Sequence, residues 1–308
     1  MDLDSDKAWE VHAALITAAV ARAAIADGCP KRAGVDAVFT SEVYGFELAR
    51  RFGASAVTVD LARETHVVSG TALRDDPVAG WSMLPAPVRR TLARRVVVVG
   101  AESTGTTTLS LDLHAALTRR GGVWAQTGWV PEVGRRWTED MLTASAAARS
   151  RSGEPPPGMA DLLWLEEDFE AIAGEQREIE DAAAAAGGPV LVCDTDAFAT
   201  EVWFTRYLGG RSAAVERVAA RPPLASLYLL TSHVDVPFEQ DGIRDGEHLR
   251  AWMTAEFRER LVERAAQTGA RAVELTGPRD ERLGRAVQEV DDLIGAGWDL
   301  APPLHQLS

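Results

Sequence analysis

Cysteine is scarce. The chain has two, Cys29 and Cys193, far apart and in no C-x-x-C or metal-ligand spacing. That excludes a disulfide scaffold and fits a reducing compartment. Long apolar runs are missing too: nothing approaches the ~18 uninterrupted apolar residues of a membrane-spanning helix. The opening MDLDSDKAWE is acidic where a secretory leader would be basic. A cytoplasmic protein with no membrane partner is expected. Positive charge is in deficit, with 32 Lys and Arg against 46 Asp and Glu and a net charge of −14. A nucleic-acid backbone demands a basic face, so nucleic acid is excluded as the main ligand. Lysine is scarce, and Lys31 with its neighbours lies in the first block.

What is present is an ordinary globular balance, 46% hydrophobic and 25% charged over 308 residues. That length suits two domains of about 100–200 residues each. The first block reads as an Ala-rich helix over 9–28, a strand at 36–40, a helix near 45–52 and a strand at 55–60. A turn, VVSGTALRDDP, then opens a short helix. So few strands cannot cover both faces of a parallel sheet, so residues 1–92 read as a half-unit.

From residue 93 the pattern changes. RVVVVG (95–100) is the continuous apolar run of a buried parallel strand. Helix 107–120, strand 122–126, a helix from about 134, helix 160–186 and strand 189–194 follow. Then come a strand around 228–230, helix 247–267, strand 271–275 and helix 279–294. Three consecutive prolines make 150–158 a loop. The alternation predicts an α/β fold with a doubly wound parallel sheet over 93–300, followed by a tail at 301–308.

The chemistry gathers at the ends of these strands. Gly100-Ala-Glu102-Ser103-Thr104-Gly105-Thr106-Thr107-Thr108 stands between a buried strand and a helix. In this P-loop layout, glycines let backbone N–H groups turn onto phosphates and the helix N-terminus adds its dipole. Thr107 occupies the place of the Mg²⁺-binding hydroxyl, and Thr106 the place of the usual lysine. Asp194-Thr195-Asp196 closes a strand at its carboxyl end, where it can hold Mg²⁺, accept a hydroxyl proton or simply cap the next helix. Glu132, followed by Arg135 and Arg136, could face an acceptor hydroxyl and a phosphate, or start a solvated helix. Gly242 and Gly246 flank Arg244, which suits a mobile loop that brings an arginine to transferring phosphate, or an ordinary surface loop. Among Trp129, Trp137, Trp164 and Trp203, one or two could stack on a flat substrate. In the first block Ser69, Thr71 and Arg74 have the make-up of a phosphate cradle, or of a cap.

These segments together resemble the NadR family of bifunctional nicotinamide-nucleotide adenylyltransferases and ribosylnicotinamide kinases. The resemblance runs through FTSEVYG (39–45), Val59-Asp60 with Arg63, VVSGTALRDDP (67–77), Trp81 and VVVVGAESTGTTTL (96–109). It continues through the Glu132–Arg135 stretch, GEQ (174–176), CDTDAFAT (193–200) and DGIR (241–244). It implies a nucleotidyltransferase-like α/β domain, of which residues 1–92 are the C-terminal portion, followed by a P-loop kinase domain. It carries Ser69, Thr71 and Arg74 over to a Ser-x-Thr-x-x-Arg motif that grips ATP phosphates.

Two departures stand out. The family's His-x-Gly-His has no counterpart, since His12 and His66 sit in unrelated contexts. This implies no adenylyltransferase activity in the chain as given, unless the true start lies upstream. Thr106 replaces the P-loop lysine. The expected activity is ATP- and Mg²⁺-dependent phosphorylation of ribosylnicotinamide in NAD salvage. Thr107 and Asp194 would be at the metal, Glu132 or Asp194 at the hydroxyl, and Arg244 or Arg135, backed by Arg136 and Arg206, in place of the lysine. Nicotinamide mononucleotide is a second expected ligand, and a homo-oligomer is compatible. The rival is a non-catalytic regulator that binds ATP or NAD.

Overall fold

The computed structural model describes residues 6–26, 28–29, 34–65 and 68–300; the 301–308 tail, His66, Val67 and Lys31 lie outside the described residues. The chain divides into two compact units, one built on the residues up to Gly80 and the other on Trp81–Trp298.

In the first unit, α1 (Asp6–Ala26), β1 (Ala37–Thr40), α2 (Gly45–Phe52), β2 (Ser55–Thr58) and α3 (Gly70–Asp75) follow in order. The two strands pair in parallel, with Val38 opposite Ala56. Trp9, Val38, Leu48 and Ala49 form a small core. Helix α2 turns Leu48 and Ala49 inward, while Glu47 takes hydrogen bonds from Arg50 and Arg51 on its outer side. A side chain at Gly45 would meet the Thr40 methyl carbon at 1.8 Å, so the FTSEVYG turn closes only with glycine there.

The second unit holds α4 (Ala86–Leu92), β3 (Arg94–Gly100), α5 (Thr106–Thr118), β4 (Gly128–Val130), α6 (Val133–Ser152), α7 (Glu166–Ala186), β5 (Val190–Asp194) and α8 (Ala197–Leu208). They are followed by α9 (Ala213–Ala219), β6 (Leu227–Thr231), α10 (Arg250–Thr268), β7 (Arg271–Leu275) and α11 (Arg279–Gly295). All five strands are parallel, in the order β4-β5-β3-β6-β7. Buried strands with apolar residues on both faces require helices on both sides. Val96 and Val98 pack with Leu109, Leu113 and Leu117 of α5 and with Ala286, Val290 and Leu293 of α11. Val97 and Val99, alternating with them, point to the opposite face.

Three sequence expectations change. The second unit takes in Trp81–Leu92, which the sequence reading gave to the first block. Trp81 is completely buried and donates its indole N–H to the Gly187 carbonyl at 2.9 Å. Residues 122–126 are a 3₁₀ turn rather than a strand, because Gly121 and Gly122 take positive φ (72° and 57°); the strand begins at Gly128, where Trp129 pairs with Val192. Helix 160–186 is shorter at its start. Asp161 accepts the Gly158 N–H in a separate turn, and Asp168 accepts the Leu165 N–H where α7 begins.

Parallel strands bring their carboxyl ends to one edge. The loop after β3, Glu132 after β4, Asp194 at the end of β5 and Thr231 at the end of β6 therefore meet there.

Candidate nucleotide and acceptor site

The loop between β3 and α5 is shaped by what surrounds it. A β-carbon on Gly100 would lie 2.2 Å from Thr231 Oγ1 and 2.6 Å from Thr104 Oγ1, so only glycine permits this close approach. Buried Thr104 donates to the Ala101 carbonyl at 2.7 Å and shares a 2.6 Å hydrogen bond with Thr231. Ser103 and Gly105 take positive φ of 56° and 88°. Two arginines then hold the loop by its carbonyls. Arg250 donates to Ser103 O at 3.0 Å, and Arg282 donates to Thr104 O at 3.1 Å. Among the described residues, no backbone N–H from Glu102 to Thr108 finds a protein acceptor. A helix start with tethered carbonyls and free N–H groups has the chemistry that suits an anion.

Asp194-Thr195-Asp196 divides its labour. Asp196 is the cap of α8: its carboxylate accepts the Ala199 N–H at 3.0 Å and the Tyr228 hydroxyl at 2.8 Å. Thr195 takes a positive φ of 67° and donates its N–H to Val98 O, a turn that leaves Asp194 at the strand edge. Asp194 is buried, and burial pushes its carboxyl up to about 6, while the nearby hydroxyls of Thr107 and Thr106 favour its charge. Glu132 faces the same space. Burial first, then the charge of Asp194, pushes it up to about 8, with Arg135 opposing. Mg²⁺ binds oxygen and takes one or two protein ligands besides phosphates and water. The Asp194 carboxylate beside the Thr107 hydroxyl fits it, and no group of three or more His, Cys, Asp or Glu is gathered among the described residues to suit another metal.

Two cavities adjoin the loop. The first, about 1030 Å³ to its open mouth, is lined by Thr106, Thr107, Glu132, Arg135 and Asp194 at one end. Trp164, Phe169, Gln176, Trp203 and Tyr207 line it as well. The second, about 1010 Å³, is lined by Thr104, Gly105, Thr108, Pro237, Gly277 and Arg282. Ser103 and Arg244 line both. Of the tryptophans singled out in the sequence, Trp164 and Trp203 reach the first cavity. Trp129 packs against the core and donates to Ser110 Oγ at 3.0 Å, and Trp137 lines neither cavity.

The arginines separate in the same way. Arg135 donates to Asp241 at 2.7 Å, and Asp241 also pairs with Arg244 at 3.4 Å, so one carboxylate holds both at the cavity. Arg244 also donates to Glu239 O at 2.7 Å. Arg136 faces outward to Glu175 and lines neither cavity. Arg206 lies under the loop, buried between Glu102 and Asp245. Neither is placed to replace a lysine at the phosphates, contrary to the sequence expectation. The Glu102 side chain is engaged within the protein, while its backbone N–H stays free with the rest of the loop. Its carboxylate accepts Arg206 at 2.7 Å and the Gly246 N–H at 2.7 Å, tying the loop to the Arg244 segment. Like charge keeps a carboxylate from phosphate. Arg250, Arg282 and, on α7, Phe169 and Ile172 escaped sequence reasoning, because their contacts join residues far apart in the chain.

In the first unit, Ser69 caps α3, its hydroxyl accepting the Ala72 N–H at 3.0 Å. Thr71 and Arg74 are exposed on this helix. Arg63 pairs with Glu42 and the Val68 carbonyl.

No helix among the described residues is long and apolar enough to cross a membrane. The chain is 25% identical over 263 residues to the trifunctional NAD biosynthesis/regulator protein NadR of Escherichia coli K12, covering 84% of this chain and 57% of that protein. The Salmonella typhimurium protein of the same name is 24% identical over 261 residues, with the same coverage of each chain. The chain thus spans little more than half the length of these relatives. Among solved structures, NadR protein in complex with NR superposes with a TM-score of 0.54 at 20% identity, covering 87% of this chain and 71% of that one. NadR protein in complex with NAD and AMP-PNP gives 0.53 at 20% identity, covering 86% and 68%. Residues 95–282, more than half of the chain, match the AAA domain model, and the chain belongs to that AAA-domain family as a NadR-like protein.

Proposed function

We propose that the second unit is an ATP- and Mg²⁺-dependent kinase that transfers the γ-phosphoryl group to the 5′-hydroxyl of ribosylnicotinamide, yielding nicotinamide mononucleotide and ADP. The observation that carries this reading is the pair of cavities meeting at one phosphate loop, with Ser103 and Arg244 shared between them. A protein that only binds a nucleotide has no need of a second chamber at the far side of the loop. The relatives' names and the ligands of the solved NadR proteins supply the substrate class.

On this reading the nucleotide lies along the second cavity, with its phosphates on the free N–H groups of 102–108. Bound Mg²⁺, held by Asp194 and Thr107, would neutralise phosphate charge. The acceptor lies in the first cavity with its flat ring toward Trp164, Phe169 and Tyr207 and its hydroxyl toward Glu132. As the hydroxyl oxygen bonds to the γ-phosphorus, its proton passes to the Glu132 carboxylate and the bond to the ADP oxygen breaks. Loss of the loop lysine leaves charge on the β- and γ-phosphates, and Arg244, which lines both cavities, would offset it with Arg135 beside it. The acceptor's cationic ring suits a chamber that contains two carboxyl groups.

The test is ³¹P NMR of ATP, Mg²⁺ and ribosylnicotinamide with wild type, Arg244→Ala and Arg135→Ala. A kinase gives turnover in wild type and a large loss of kcat in at least one variant. ATP binding without turnover in all three would establish a regulator instead.

A further inference from the structure

Two residues that line the first cavity carry a buried hydrogen-bond donor with no partner among the described residues. The indole Nε1 of Trp164 and the amide Nε2 of Gln176 are both buried, and both residues line the cavity. Polar groups buried in this way are nearly always satisfied, so two unsatisfied donors on residues of one cavity call for a ligand.

Neither orientation is arbitrary. The Gln176 Oε1 accepts the backbone N–H of Val133 at 3.0 Å, and a backbone N–H can only donate. The oxygen is therefore fixed there and the NH₂ must point elsewhere. Glu180, one turn further along α7, feels this amide but does not reach hydrogen-bond distance. Trp164 is held by rings, its centroid 5.2 Å from both Phe169 and Tyr207. Phe169, Ile172 and Gln176 recur at helical spacing and all line the cavity, so one face of α7 carries an aromatic end and a polar end. The aromatic faces are in part already engaged: the Arg206 guanidinium sits over Trp203 at 5.1 Å and over Tyr207 at 4.9 Å. Discrimination among flat ligands then falls to the donors more than to stacking on these rings.

We propose that Trp164 and Gln176 are the specificity-determining residues of this cavity, donating from the indole N–H and the amide NH₂ to a carbonyl oxygen on a planar ring of the acceptor. This rests on the acceptor assignment above. It adds that the ring must carry an exocyclic acceptor, and that an otherwise identical nucleoside without it is rejected. A donor left unpaired by the wrong ligand typically weakens binding by about tenfold to a hundredfold.

Calorimetric titration of the full chain with ribosylnicotinamide and with N-ribosylpyridinium, which lacks the carboxamide, separates the outcomes. Wild type is expected to prefer the carboxamide nucleoside by at least about tenfold. Trp164→Phe keeps an aromatic ring and removes the donor. Gln176→Glu keeps the oxygen on Val133 and removes the NH₂. Each is expected to lower that preference by about tenfold while leaving N-ribosylpyridinium binding within about threefold of wild type. Equal losses for both nucleosides would mean that the residues only pack, and the proposal fails. It also fails if wild type shows no preference, or binds neither nucleoside. Circular dichroism melts check each fold, and the Trp164 arm stands without the Gln176 arm. Discrimination without phosphoryl transfer would overturn the kinase reading and leave this inference intact. Transfer without discrimination would do the reverse.

Discussion

Ser69–Arg74 and Gly100–Thr108 share the same ingredients: hydroxyl side chains and glycine at the start of a helix. In the first unit they stand on a six-residue helix of a unit whose sheet has two strands, and the Ser69 hydroxyl is spent on the Ala72 N–H. In the second unit they follow the central strand of five, and side chains from β5, β6, α10 and α11 converge on the loop. The difference lies in what the sheet presents around the motif. A helix cap and a phosphate loop are alike in sequence, and they part only when neighbouring strands bring a carboxylate, a brace for the carbonyls and a cavity.

The largest effect is expected at Asp194. Asp194→Asn should lower the phosphoryl-transfer rate by about a hundredfold or more, because neutral amide replaces the carboxylate that faces Thr107. Thr71→Val in the first unit should leave the rate within about twofold, as an exposed surface change. Comparable losses at both positions, read in one coupled assay, would erase the contrast.

A somewhat smaller loss, on the order of tenfold to a hundredfold in kcat, is expected for Arg244→Ala. The carboxylate of Asp241 would then hold Arg135 alone.

Glu132 gives a pH signature. Its carboxyl is pushed from 4.5 up to about 8, so the proton-accepting form grows as pH rises through that value. The kcat/KM of wild type should climb toward a plateau above pH about 8. Glu132→Gln should be slow and should lose that limb. Stability runs the opposite way. The folded state binds this proton more tightly than the unfolded chain does. The Glu132 contribution is therefore fully present below pH 4.5 and is lost as pH rises to about 8. Melting curves should show Glu132→Gln gaining on wild type across that window.

The smallest change belongs to Ser69→Ala. Losing the cap should cost α3 about 1 kcal/mol and leave ATP affinity unchanged by calorimetry. A tenfold loss of ATP affinity would make the first unit a nucleotide site after all.

Much of this was legible before any coordinates. The apolar run before Gly100 and the alternation after it carry the parallel sheet. The bounds of α2 and β7 coincide with the sequence reading, Gly45–Phe52 and Arg271–Leu275. What escaped depends on distant partners. Asp194 and Asp196 look equivalent in Asp-Thr-Asp, and only the left-handed turn at Thr195 and the Tyr228 hydroxyl tell the cap from the cavity carboxylate. The Glu102 side chain reads as free to face the phosphates until Arg206, far along the chain, is seen beneath it. Arg250 and Arg282 lie among ordinary helix residues, and nothing local marks them as braces. The 3₁₀ turn at Gly122–Gln126 is apolar enough to pass for a strand.

The central claim is that this chain's nucleotide sits on the loop of the second unit, and hydrogen–deuterium exchange of the full chain with and without AMP-PNP and Mg²⁺ addresses it directly. Slowed exchange at residues 100–108 and the 277–282 segment, with none at 69–75, is the predicted result. Protection at 69–75 with none at 100–108 would contradict it.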